Sequence, residues 1–170
     1  MTSKERYLNK MSKEKISKTN ARRLLEQKKI PFTIHTYDPE KAISATEVAA
    51  YLNQNPDRVF KTLVTYGKSG EHYVFVLPAV GELDLKKAAE AAGEKFIEML
   101  PQKELLPLTG YIHGGCSPIG RKKSFPTFVD SSALKLEKRL VSGGKRGYQI
   151  EISPEDLEKA CGAQFVDLIK

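Results

Sequence analysis

Apolar positions recur along the chain at two periods, and the switches between them mark its elements. Ala21, Leu24 and Leu25 fall at i, i+3 and i+4, which predicts a helix from Thr19 to Lys29 with one buried stripe. Pro31 ends it, and Phe32 to Tyr37 alternates as a strand does. Ser44-x-x-Glu47 reads as a capping box and opens a helix from Ala45 to Leu52, with Val48, Ala49 and Leu52 inward. After the Asn55-Pro56-Asp57 turn, Val59–Tyr66 and Tyr73–Leu77 form a hairpin around Gly67–Glu71. Asp84 opens a third helix that Gly93 closes. A short strand, Lys95–Met99, and one helical turn, Gln102–Leu106 closed by Pro107, follow. Three more strands are expected at Thr127–Asp130, Arg139–Val141 and Tyr148–Ile152. Ser153-Pro154 caps a final helix that ends at Cys161-Gly162, and Gln164–Leu168 closes the chain as a strand. Helices and strands mix without βαβ alternation. The fold class is therefore α+β: one domain, residues 18–170, with a central mixed sheet surrounded by helices.

Residues 1–17 break this pattern. Their few apolar positions are scattered, and they read as a flexible basic arm rather than a secretory signal. The longest apolar run, Tyr73 to Val80, is strand-sized and far short of the ~18 residues a membrane span needs. A cytoplasmic protein is expected. Its two cysteines, Cys116 and Cys161, form neither a disulfide framework nor a zinc pattern.

Charge changes the picture further. The net charge is +7, which favours a polyanionic partner. Eight of the basic residues lie in residues 1–23 and eight more in residues 121–146. The second cluster includes Arg121, Lys122, Lys123, Lys145 and Arg146, and it sits between two glycine-rich loops.

Three features could carry chemistry. Lys61 shares a strand face with Val59 and Leu63; it is either an exposed edge lysine or a half-buried cation that needs an anion. The loops Gly114–Gly120 and Ser142–Gly147 match no nucleotide fingerprint. They are either tight turns or cradles whose N–H groups hold a carbonyl or oxyanion, with Pro118 fixing the shape of the first. Cys116, with His113 three residues away, is either a nucleophile or a small loop-filling residue. His35 and His72 read as structural, and no metal site is expected.

Five stretches carry a resemblance: Phe60-Lys61-Thr62-Leu63-Val64, Leu83-Asp84-Leu85-Lys86-Lys87, Thr109-Gly110-Tyr111, Gly114-Gly115-x-Ser117-Pro118-x-Gly120-x-Lys122-Lys123, and Ser142-Gly143-Gly144-Lys145-Arg146-Gly147. In this order they resemble the YbaK family, freestanding relatives of the editing domain inserted in bacterial prolyl-tRNA synthetase, over about residues 18–169. The resemblance implies a partly barrel-like sheet and deacylation of misacylated tRNA, chiefly Cys-tRNA(Pro) and also Cys-tRNA(Cys). The substrate thiol would attack its own ester, so the enzyme is a hydrolase or, by that route, a lyase, without cofactor or metal. It implies Lys61, Gly115 and Ser117 as catalytic residues. It implies Tyr37, Thr62, Gly114, Cys116, Pro118 and Gly120 around the substrate. The tRNA 3′ end is the implied partner, held by Arg121, Lys122, Lys123, Lys145 and Arg146, with prolyl-tRNA synthetase as a second one. The other reading is a non-catalytic tRNA-binding module acting with that synthetase. Ser44-Ala45-Thr46-Glu47 stands where many members carry Phe-Gly-Asp-Glu, and Cys116 where members often have isoleucine.

Overall fold

A computed structural model describes residues 2–6 and 18–170. Most of the expected arm thus lies outside the described residues. Residues 3–6 are helical, and Lys4 Nζ stands 5.2 Å from the centre of the Tyr51 ring.

The first long helix, α1, runs Asn20–Gln27; the Thr19 hydroxyl caps it and accepts from the Arg22 N–H. Strand β1 is Thr33–Thr36. Helix α2, Ala45–Tyr51, starts at the expected capping box, with Ser44 and Glu47 each accepting from the other's backbone. The hairpin strands are β2, Phe60–Gly67, and β3, His72–Pro78. Helix α3, Leu85–Ala92, is capped by Asp84 and ends at Gly93 in the left-handed conformation. Strand β4 is Ile97–Met99.

The helical turn expected to stop at Pro107 instead runs on as α4, Leu105–Thr109, and ends at Gly110. Pro107 lies in the first turn, where its missing N–H would have no intrahelical partner anyway. Strands β5, Thr127–Asp130, β6, Arg139–Ser142, and β7, Tyr148–Ile152, follow. Helix α5 is Pro154–Cys161, and β8 is Gln164–Val166.

The expected central mixed sheet is present, and a second, smaller sheet accompanies it. One sheet orders its strands β4-β2-β3-β5-β8 and mixes antiparallel with parallel pairs; the other is antiparallel β1-β7-β6. One parallel bridge, Val59 to Leu140, joins them, and no further pairing closes a barrel among the described residues. The physical reason lies on β2. Its inner edge pairs with β3 from Phe60 to Tyr66, but its outer edge meets β4 only from Thr65 to Gly67. From Phe60 to Leu63 the outer edge has no hydrogen-bonded strand among the described residues; β6 runs close by without pairing.

The main core packs α1 and α5 against one face of the larger sheet, with Leu25, Val74, Val76, Ile119 and Leu157 buried in it. A second core lies under α3, where Phe75 and Phe128 stack at 5.5 Å. No helix among the described residues is long and apolar enough to cross a membrane.

The first glycine-rich loop is locked onto α1. A Cβ on Gly120 would stand 2.7 Å from backbone atoms of Asn20 and Ala21, and Gly120 has φ +70°. Gly93 has a similar φ of +71° with open space around it. Gly93→Ala therefore costs only the left-handed strain, about 1 kcal/mol. Gly120→Ala adds the displacement of α1 and costs more than about 2 kcal/mol. Urea unfolding of the two variants checks this ordering; equal losses would contradict the packing described.

Candidate active site

The gap on β2 opens into a cleft of about 440 Å³. A strand turns alternate residues to one face, yet all six residues from Val59 to Val64 line this cleft. The unpaired edge explains this, because an edge exposes every residue's backbone. The remaining walls come from Tyr37, α2 and the residues before it, the segment from Met99 to Leu105, the first glycine-rich loop, and Ser142 and Gln149 of the smaller sheet.

Lys61 is half-buried at this edge, and its Nζ donates to the Gly81 carbonyl at 2.8 Å. An ammonium has three N–H donors, so this bond leaves two. No carboxylate pairs with Lys61 among the described residues. The Thr62 Oγ1 is buried against the cleft without a hydrogen-bond partner, and so is the Gln149 Oε1 of a side chain only 7% exposed. Buried polar atoms are normally satisfied. Two orphans lining one cleft mark where a polar ligand group fits. Tyr37 is buried, meets the Tyr51 ring edge-on at 6.4 Å, and donates its backbone N–H to the Gly147 carbonyl.

The two glycine-rich loops pack backbone against backbone. A Cβ on Gly115 would stand 2.9 Å from the Lys145 Cα, and one on Gly114 2.9 Å from the Arg146 Nε. The Thr19 hydroxyl ties the second loop to α1 by donating to the Gly143 carbonyl at 2.6 Å. Within the first loop the Gly115 N–H donates to the Ile112 carbonyl and is committed to the turn. The N–H groups of Cys116 and Ser117 make no such bond among the described residues.

The sequence-predicted residues divide. Tyr37, Lys61, Thr62, Gly114 and Cys116 meet at the cleft. Gly115 is buried behind it against Lys145. Ser117 is fully buried, and its Oγ accepts from the Ile119 N–H. Pro118 and Gly120 face a different cavity on the far side of the loop. Among the basic residues, Lys122, Lys123 and Arg146 are exposed, while Lys145 Nζ lies 4.5 Å above the Tyr148 ring. Arg146 Nε donates to the His113 carbonyl. Arg121 turns inward and donates to the Pro118 and Phe125 carbonyls and the Thr127 hydroxyl.

Sequence reasoning missed Ser142 and Gln149 as cleft residues. Gln149 carried a signal: it is a polar residue between Tyr148 and Ile150 in a strand otherwise suited to burial.

The cleft holds a thiol but not a reactive one. Cys116 is 7% exposed, and burial pushes its pKa up to about 11. No group of three His, Cys, Asp or Glu side chains that could hold a metal occurs among the described residues.

Comparison with known proteins places this geometry. The aminoacyl-tRNA editing domain profile matches residues 39–160. EbsC of Enterococcus faecalis, a candidate Cys-tRNA(Pro)/Cys-tRNA(Cys) deacylase, is 46% identical over 160 residues, covering 93% of this chain and 98% of its own. A proline–tRNA ligase of Pelobacter propionicus is 28% identical over 103 residues, which make up 61% of this chain and 18% of the ligase. Among solved structures, a candidate trans-editing enzyme for prolyl tRNA synthetase superposes with a TM-score of 0.81 at 26% identity, covering 91% of this chain and 99% of that one. A family profile over most of the chain and a full-length relative at this identity lead to one assignment: the chain belongs to the aminoacyl-tRNA editing domain family.

Proposed function

We propose that the chain deacylates misacylated tRNA in trans, in the cytoplasm, with Cys-tRNA(Pro) as leading substrate and Cys-tRNA(Cys) as a second one. One observation carries the reading. The cleft on the open edge of β2 offers donors and acceptors for an aminoacyl ester, but none of its side chains is an activated nucleophile. The Cys116 thiol is held neutral by burial. The Ser117 hydroxyl is buried in its own turn and lies outside the cleft wall. An ester cleaved there must use water or a nucleophile that arrives with it.

Cysteine brings its own. In the proposed step the substrate Sγ bonds to the ester carbonyl carbon, and the carbon–oxygen bond to the terminal ribose breaks. The proton lost from the thiol ends on the departing ribose oxygen. The tRNA leaves intact, and the cysteine thiolactone opens in water. The protein contributes orientation and charge stabilisation. Lys61 holds the 3′-terminal nucleotide or the developing oxyanion with the two donors that Gly81 leaves. The Gly114 and Cys116 N–H groups, without other hydrogen bonds among the described residues, are the donors that the cleft-lining part of the loop offers to the carbonyl. Thr62 and Gln149 present acceptors to the substrate ammonium. Lys122, Lys123, Lys145 and Arg146 attract the tRNA backbone. Prolyl-tRNA synthetase is the fitting partner, since one relative is that synthetase and another is described as editing for it.

Lys61→Ala tests the core of this reading. Loss of one preorganised donor lowers the deacylation rate about 10²- to 10³-fold, with the thermal midpoint unchanged within a few degrees. Full activity in this variant would remove Lys61 from the reaction. Salt-sensitive tRNA binding by a wild-type protein that releases no amino acid would instead mark a binding module.

Cys116 supplies a second test, and its sign follows from its raised pKa. At pH 8 a thiol of pKa about 11 is ionised in about one molecule in a thousand, so alkylation by iodoacetamide is about 100-fold slower than for an ordinary exposed cysteine. Cys116→Ser retains deacylation, and so does alkylated protein. Inactivation by the serine substitution, with the fold intact, would make Cys116 the nucleophile.

A further inference from the structure

The far side of the Gly114–Gly120 loop bears a second cavity, of about 350 Å³. Its charge is one-sided. Lys28 comes from the end of α1, Arg121 and Lys123 from the segment after the loop, and Lys159 from α5. Among the described residues no Asp or Glu lines it. None of these four side chains makes an ion pair among the described residues.

Arg121 deepens the imbalance. Its guanidinium satisfies carbonyls and a hydroxyl, never a carboxylate, and its Nη1 is buried without a partner. The C-terminal end of α5 faces the same cavity with partial negative charge. Part of that charge is met by the protein's own donors. The Leu157 carbonyl accepts from Cys161 Sγ, the Glu158 carbonyl accepts from the Gly162 N–H, and the Lys159 carbonyl lies 3.5 Å from Lys28 Nζ. Cys161 adds no anion, because burial pushes its thiol up to about 11. Four cations around one concavity, one of them with an orphan donor, call for a compact oxyanion.

The two cavities share a wall. Gly114 and Cys116 face the β2 cleft, while Pro118 and Gly120 face the basic one. We propose that the basic cavity seats a backbone phosphate of the tRNA while the aminoacyl end occupies the β2 cleft, with Lys28 and Lys159 as phosphate ligands. The proposal rests on tRNA being the substrate, and it extends the contact surface onto α1 and α5, outside the 121–146 cluster.

The test measures binding of uncharged tRNA, so it does not depend on catalysis. Lys28 and Lys159 are exposed, and their removal leaves the core untouched. Lys28→Ala/Lys159→Ala is compared with Lys68→Ala/Lys95→Ala, which removes the same charge elsewhere. In the cavity variant tRNA affinity falls about tenfold at moderate salt, and the slope of log affinity against log salt between about 50 and 200 mM shrinks by about 1. The control shifts little, and Lys28→Arg/Lys159→Arg restores binding. With Cys-tRNA(Pro), KM rises by the same factor and kcat holds. Equal losses in both alanine pairs would reduce the effect to bulk charge and overturn the proposal. Saturable binding of inorganic phosphate at Lys28 and Lys159, with tRNA affinity unchanged in the cavity variant, would assign the cavity to a free anion and overturn it too. Weakened tRNA binding in a protein that deacylates nothing would leave the phosphate site standing and defeat the proposed reaction alone.

Discussion

The candidate site depends on an interruption in strand pairing. From Phe60 to Leu63 one edge of β2 has no hydrogen-bonded strand among the described residues: β4 pairs only from Thr65, and β6 runs close by but bridges only at Val59. Backbone N–H and C=O groups require partners, so an unpaired edge inside a fold is normally covered. Here it is left as the floor of a cleft. That brings Lys61 and Thr62 to a surface enclosed by Tyr37, Gln149 and the Gly114 loop. The same interruption explains why the two sheets stay separate and do not close.

The second constraint is the close approach of two glycine-rich loops to each other and to α1. Gly115 meets the Lys145 backbone, Gly120 meets Asn20 and Ala21, and Gly144 meets Thr19 and Tyr111. Side chains at these points would push the backbones apart. The glycines therefore act first as spacers that set the cleft's rear wall, and the N–H groups of Gly114 and Cys116 are left over for a ligand there. This wall has chemistry on both sides, a polar cleft holding Lys61 in front and a basic cavity behind.

Much of this was legible in the sequence where local chemistry decides. The capping box at Ser44 and Glu47, the Asp84 and Ser153 caps and the Gly93 stop each appear where expected, because caps are satisfied within one turn. Lys61 stood out because a cation between aliphatics on a strand needs a reason. What depends on distant segments was not legible. Nothing in Phe60–Val64 says that its neighbour strand stops short, so the open edge was not legible. Arg121 read as a tRNA-holding cation, but its acceptors, Phe125 and Thr127, arrive only when the chain folds back and turn it inward. Lys28 and Lys159 lie 131 residues apart, and only tertiary packing brings them to one cavity.

The central claim is that the cleft orients an ester whose own side chain cleaves it. The most direct measurement is the rate of amino-acid release from Cys-tRNA(Pro) beside Ala-tRNA(Pro) and Ser-tRNA(Pro), with wild-type protein. Rapid loss of cysteine, with alanine and serine retained, is the result this account predicts. Equal loss of alanine, which has no nucleophile to offer, would contradict it and require a water activated by the protein.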